Sequence, residues 1–295
     1  LDQVLRAIED FGAAILLDPQ FADAYYNRGF AHYQQARQDK AHAEMAIDDF
    51  DQAIRLVPNH AEAYVVRADA YNHLEQWQKV IDNLNEAIRL DPRADDYLTR
   101  GEAYYGLGRH QQAVADFSEA VRLNPQLVWA YTRRSRSYGS MGEVQKAMAD
   151  ADQAIRLNPQ FWFAYKERGI AYDNLGQLEG AIAAFDQAFQ IEPTTLGTAI
   201  YLYIARGDAY RRLGQAQKAI ADLEEVIKLN PQLGLGEAYA SRALAYTLLG
   251  KDVEAQQDIA RAVKLGVDEH PSAKRQWDFT VLKKDFEELK KRRGG

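Results

Sequence analysis

Seven arginines recur along this sequence at near-constant spacing: Arg28, Arg67, Arg100, Arg134, Arg168, Arg206 and Arg242. An acid follows most of them on the next segment, as Asp49, Asp116, Asp150, Asp222 and Asp258, while Asn83 and Ala184 depart from the rule. Two chemistries fit. One is a ladder of cations open to an anionic ligand. The other is an internal pair, in which each guanidinium fork is satisfied by its own carboxylate. A ligand patch is more often local than present in every unit, so the internal pair is the preferred reading.

Nothing in the sequence is arranged for covalent chemistry. There is no GxxxxGK(S/T) phosphate loop, no HExxH and no GxSxG. A cysteine count of zero excludes disulfides, thiol catalysis and cysteine-ligated zinc or iron–sulfur sites. His32 and His42 have no acidic or thiol partner at ligand spacing and read as solvated surface residues. The acid pairs Asp48–Asp49 and Asp95–Asp96 are adjacent, so they diverge around a helix and read as solvated faces. The expectation is a protein with no cofactor, no metal, no catalytic residue and no enzymatic activity.

Prolines set the frame that positions these residues. Pro19, Pro58, Pro92, Pro125, Pro159, Pro193 and Pro231 mark a period of roughly 34 residues. Ala94 to Pro125 shows the unit most plainly. Tyr97, Arg100, Gly101 and Tyr104 fall at helical spacing, and Gly108 ends that helix. Ala113, Phe117 and Ala120 share one face of a second helix. Asn124 closes it, because a residue before proline avoids the α region.

The unit resembles the tetratricopeptide repeat (TPR), and the match is made seven times. The first aromatic is Tyr25, Tyr64, Tyr97, Tyr131, Tyr165, Tyr203 and Tyr239. The small residue is Gly29, Ala68, Gly101, Ser135, Gly169, Gly207 and Ala243. The second-helix alanine is Ala46, Ala113, Ala147, Ala181, Ala219 and Ala255, with Val80 the exception. The resemblance implies an all-α fold, a right-handed superhelix (α-solenoid) of seven helix-turn-helix repeats over 20–58, 59–92, 93–125, 126–159, 160–193, 194–231 and 232–266. Repeat one carries extra residues in its turn near 36–43, repeat six carries TTLGT before its first helix, and repeat seven carries LGLGE.

Both ends depart from the unit. Residues 1–19 fit a second helix alone, with Ala7, Phe11 and Ala14 at the packing positions, and this predicts a piece of a longer protein. Residues 267–295 read as a capping helix with a basic tail, its stripe made by Phe279, Leu282, Phe286 and Leu289. The run Lys290 to Arg293 suits a solvated helix end, favoured by the helix dipole, better than an anionic surface.

The resemblance also implies an inner groove, lined by first helices, that binds peptides or proteins. The residue two before each first aromatic points into it: Asp23, Glu62, Asp95, then Trp129, Phe163, Tyr201, then Glu237. Nearby inward positions carry Arg133, Arg136, Lys166, Arg211 and Arg212, with Asp69 and Glu102 toward the N-terminus. The alternative is that the three rings supplement the core. Aromatics beside arginines are common anchors of protein recognition. The preferred site is therefore Trp129, Phe163 and Tyr201 as anchors, with Arg133, Arg136, Lys166 and Arg212 as charge partners.

The expected ligand is an apolar protein or peptide segment with acidic residues, bound chiefly by repeats four to six. The Hsp70/Hsp90 carboxylate clamp of chaperone-binding members does not match: repeat one offers Tyr26 and Phe30, followed by Val66, then Asp95 and Thr99. An asparagine ladder is absent too, with Asn27 the lone match. Two other readings stay open: a recruiting segment of a larger enzyme, and a self-associating module that forms a homo-oligomer. Net charge is -7, against a general nucleic-acid surface. No apolar run approaches the ~20 residues that span a bilayer. The compartment is not fixed by these residues; a cytoplasmic setting is slightly favoured, with any targeting segment lost from a fragment.

Overall fold

The structure is a computed structural model that describes residues 2–35, 40–191, 196–229, 234–265 and 279–294. Every regular element among them is an α-helix. The chain divides into two compact units, 1–143 and 144–295. The first contains α1 (Asp2–Leu17), α2 (Ala22–Gln35), α3 (Lys40–Leu56), α4 (Ala61–His73), α5 (Trp77–Leu90), α6 (Ala94–Gly106), α7 (His110–Leu123) and α8 (Val128–Ser140). The second contains α9 (Val144–Leu157), α10 (Trp162–Asn174), α11 (Leu178–Gln190), α12 (Leu196–Arg212), α13 (Ala216–Leu229), α14 (Leu235–Leu248), α15 (Asp252–Lys264) and α16 (Phe279–Gly294).

In the first unit α2 packs on α3, α4 on α5 and α6 on α7, and each second helix also packs on the first helix of the next pair. The second unit repeats the scheme with α10 and α11, α12 and α13, and α14 and α15. Local chemistry sets the helix ends. Asn124 is extended, with φ −135°, as its place before Pro125 requires. Its Oδ1 accepts the Gln126 N–H at 3.1 Å, and Asp18 and Asn158 do the same for Gln20 and Gln160. Gly108, with φ +72°, turns the chain between α6 and α7; Glu75, with φ +58°, holds the same left-handed place between α4 and α5.

Close approach inside a pair depends on one small residue facing one ring. A Cβ on Gly101 would lie 2.6 Å from the Phe117 ring, and one on Gly169 would lie 2.4 Å from Phe185. Both rings are buried. Where the second helix carries Leu84 instead of phenylalanine, Ala68 takes the facing place in the same apolar cluster. In the last pair Ala243, Leu244 and Ala255 form a cluster that Phe286 and Leu289 of α16 complete. The Lys290 ammonium lies 5.3 Å from the Phe286 ring centroid. The side chains of Phe279 and Leu282 lie outside the described residues.

Several expectations need correction. The insertion before repeat six is helix and not loop from Leu196 onward, so α12 is longer than its counterparts. Of the extra residues in the turn of repeat one, 36–39 lie outside the described residues and the rest open α3; of LGLGE in repeat seven, residue 233 lies outside them, while Gly234, with φ +81°, precedes α14 and Leu235 to Glu237 open it. His32 and His42 are half-buried instead of solvated, with Nδ1 atoms 3.4 Å apart and rings stacked at 5.6 Å. Burial, despite Asp49 nearby, pushes the His32 pKa down. Nor are both acid pairs solvated: Asp49 and Asp96 are buried, while Asp48 and Asp95 face water. One member of each pair turns inward because a helix separates neighbours by about 100°.

Candidate functional site

The arginine positions are paired inside the protein. Arg28 donates Nε and Nη2 to the two oxygens of Asp49 at 2.9 and 2.6 Å. Arg100 holds Asp116 at 2.8 and 2.7 Å, Arg206 holds Asp222 at 2.8 and 2.7 Å, and Arg242 holds Asp258 at 2.7 and 3.0 Å. Arg67 donates to Asn83 at 2.6 Å. The bond from Asp116 raises the Arg100 pKa, with burial opposing it. Each of the seven guanidinium groups also lies over its repeat's first tyrosine, from 5.1 Å at Tyr165 to 5.9 Å at Tyr203. These groups are framework, and the site lies elsewhere.

In the first unit, Trp129 opens α8 and is 42% exposed. One turn on, the Arg133 guanidinium lies 4.9 Å from the indole centroid and donates Nε to Glu102 Oε1 at 2.6 Å. Arg136, the next residue along that face, lies exposed with its guanidinium 4.7 Å from the Tyr105 ring centroid. Tyr105 is steadied by a 3.3 Å hydroxyl contact with Ser140. Between α6 and α8 these side chains border a cavity of about 310 Å³. Trp77 forms another wall and Phe117 reaches its floor. Gly106 permits this, since a Cβ there would sit 3.2 Å from the Trp77 ring. Among the described residues no carboxylate pairs with Arg136, whereas Arg133 is neutralised by Glu102.

In the second unit the expected residues are disposed differently. Tyr201 is 44% exposed on α12. Phe163 is only 8% exposed, not the open anchor that its position suggested. Its ring meets Trp162 edge-on at 5.3 Å and Phe161 at 6.1 Å. The Lys166 ammonium sits 4.2 Å from the Phe163 centroid, 5.0 Å from that of Tyr201 and 3.1 Å from Glu167 Oε1. Arg212 pairs with Asp173 and lies 4.0 Å from Asp208. Lys166 and Arg212 thus already hold internal partners.

The N-terminal acids carry one further feature. Asp96 is 4% exposed, and its Oδ2 has no hydrogen-bond partner among the described residues. Burial pushes its pKa up to about 6; the Arg93 charge pulls down, and Asp95, Asp91 and Glu62 push up. Burial, then the Asp96 charge, raises Asp69 to about 6 as well. The sequence reading missed Asp96, along with the walls made by Trp77, Tyr105 and Gly106. A tryptophan opening a second helix was the one visible signal for that cavity.

The arrangement offers rings and cations, and so non-covalent capture of apolar and carboxylate groups. Among the described residues no cluster of three or more potential ligands could hold a metal, and no helix is long and apolar enough to cross a membrane. Family comparisons match the chain repeatedly. A TPR repeat model covers 3–35, and tetratricopeptide repeat models cover 42–95, 94–127, 130–161, 162–195 and 200–233. No curated protein matches. Among solved structures, MamA is 27% identical over 54% of this chain and 94% of its own, with TM-score 0.51. A tetratricopeptide repeat protein from Parabacteroides merdae is 18% identical over 90% of this chain and 98% of its own, with TM-score 0.66. YrrB, described as a TPR protein with an unusual peptide-binding site, is 22% identical over 64% of this chain and 95% of its own, with TM-score 0.53. With helical hairpins spaced by the proline period, a glycine facing a phenylalanine ring in several of them, and repeat matches between residues 3 and 233, this chain belongs to the tetratricopeptide repeat family.

Proposed function

We propose that the protein is a non-enzymatic interaction scaffold that captures an extended or helical segment of a partner protein, chiefly on repeats four to six. The observation that carries this reading is the exposure of Trp129 and Tyr201 beside cations, at positions where repeats one to three carry Asp23, Glu62 and Asp95. Folding does not require a large ring there, since repeats one, two, three and seven form the same hairpin with a carboxylate. Half-exposed aromatics flanked by cations suit a partner that brings apolar and acidic side chains. The peptide-binding site ascribed to YrrB belongs to a protein of this fold, and makes peptide capture the class of function to test first.

The experiment is to pan random phage-displayed peptides against the full chain and then measure the best binder at rising salt. Recovery of related apolar-acidic sequences, with binding weakened by salt, supports the reading. Enrichment of none contradicts it. A second reading, self-association, draws on the exposed Leu5, Leu16 and Leu17 of α1. Sedimentation over a concentration series separates the two: a mass that stays monomeric leaves no place for the second.

A further inference from the structure

The cavity between α6 and α8 combines features that the aromatic positions alone do not explain. Arg136 is an exposed cation with its guanidinium carbon 4.7 Å from the Tyr105 ring centroid, and among the described residues no carboxylate answers it. In a chain of net charge -7, with Arg133 beside it already paired to Glu102, that is unusual. A guanidinium in contact with a ring face still has N–H groups free to donate to a carboxylate through two parallel bonds. Beside it, the 310 Å³ cavity between Trp77 and Tyr105 is about the size at which pockets begin to enclose a side chain. Because Arg133 is cancelled by Glu102, the local balance at the mouth is set by Arg136 and is positive.

We infer that this cavity is a specificity pocket for a partner segment in which a bulky apolar side chain enters between Trp77 and Tyr105, and a neighbouring aspartate or glutamate pairs with Arg136. The inference rests on the scaffold reading and sharpens it by fixing the ligand's chemistry at one place. It also assigns Glu102 a role. By occupying Arg133, its carboxylate leaves a single acid-receiving group and disfavours segments with a carboxylate crowded against that side.

The test uses the full chain and the peptide most enriched by panning, labelled with fluorescein and followed by anisotropy. Arg136→Gln is expected to weaken binding about tenfold. Replacing the peptide's acid by its amide should cost a similar factor, and the two changes together should cost little more than either alone, since both remove one contact. Glu102→Gln, which frees a second cation, should tighten binding of a more acidic version of the peptide. Arg136 is exposed, so helical circular dichroism and melting should be unchanged. Binding indifferent to Arg136→Gln, or full additivity with the amide peptide, overturns the pocket while leaving the scaffold reading intact. Failure to enrich any peptide overturns both.

Discussion

Arg206 places Nε and Nη2 on Asp222 and Nη1 on Asp186 at 2.6 Å, with its guanidinium 4.4 Å from the Phe189 ring centroid. The second reach, to the preceding repeat, is general. Arg100 donates to Asn85 at 2.8 Å, Arg134 to Ser118 at 3.0 Å, Arg168 to Asp152 at 3.4 Å, and Arg242 lies 3.8 Å from Glu224. Every one of these partners stands five residues after the second-helix alanine of its repeat, or after Val80 in the case of Asn85, as Asp51 does for Arg67. The arginine thus ties its own hairpin and couples it to the one before. The first tie was legible in the sequence, because arginine and acid recur 16 residues apart at Arg100, Arg206 and Arg242, and 21 apart at Arg28, where the turn is longer. The second was not, because its partner varies among Asp, Asn, Ser and Glu and its spacing absorbs the loop insertions. Arg168 exposes the rule by breaking it: Ala184 stands where the acid should be, and Arg168 Nε is buried without a hydrogen-bond partner among the described residues. Ala184→Asp should therefore stabilise the protein by about 1 kcal/mol in urea unfolding; a lower midpoint would show that the added carboxylate is not received. The buried acids titrate in the opposite sense. Asp69 and Asp96 have folded pKa values raised to about 6 from 3.8, so their charged forms disfavour the fold. Their contribution improves as pH falls through 6 and is complete below the unfolded value. The double variant Asp69→Asn, Asp96→Asn should gain more over the parent at pH 7 than at pH 5. An equal gain at both would mean that neither pKa is raised.

At the scale of the helix pair, size matching decides the packing. Gly101 exists because Phe117 fills the space its Cβ would occupy, and Ala68 is allowed because Leu84 replaces the ring. Gly101→Ala should cost about 2 kcal/mol through overpacking. Phe117→Leu in the same chain should recover part of that loss, giving a coupling that separate effects would lack. Strict additivity in the four-protein cycle would contradict the contact. This pairing was legible where it is tightest, since Gly29 with Phe50, Gly101 with Phe117 and Gly169 with Phe185 stand at matching places in their repeats. The length of α12 was not, because TTLGT contains a glycine and three threonines that read as loop, while Leu196 to Thr198 belong to the helix. Phe163 was misjudged for a related reason. Periodicity assigns a face, but it does not give the contacts with Phe161 and Trp162, the two residues just before it, that accompany the burial of this ring.

Across the whole chain, a repeat protein is held by contacts between neighbours rather than by one centre, so a change on an exposed first-helix position is cheap for folding. That separation lets recognition vary while the hairpin stays the same. The all-helical repeat architecture was legible because one weak pattern is made seven times. The candidate site was legible only as residue types: how far Trp129 and Tyr201 stand open, and that Arg136 faces a cavity, depend on side chains from neighbouring helices that no single repeat encodes. The central claim is that open rings beside cations capture a partner without supporting the fold. An anisotropy titration of a panned peptide against the parent and the Trp129→Ala, Tyr201→Ala variant, with melting recorded on the same samples, tests it most directly. The account predicts at least about a tenfold loss of affinity, in the range of a recognition hot spot, at unchanged melting temperature; undiminished affinity, or a variant that no longer folds, would contradict it.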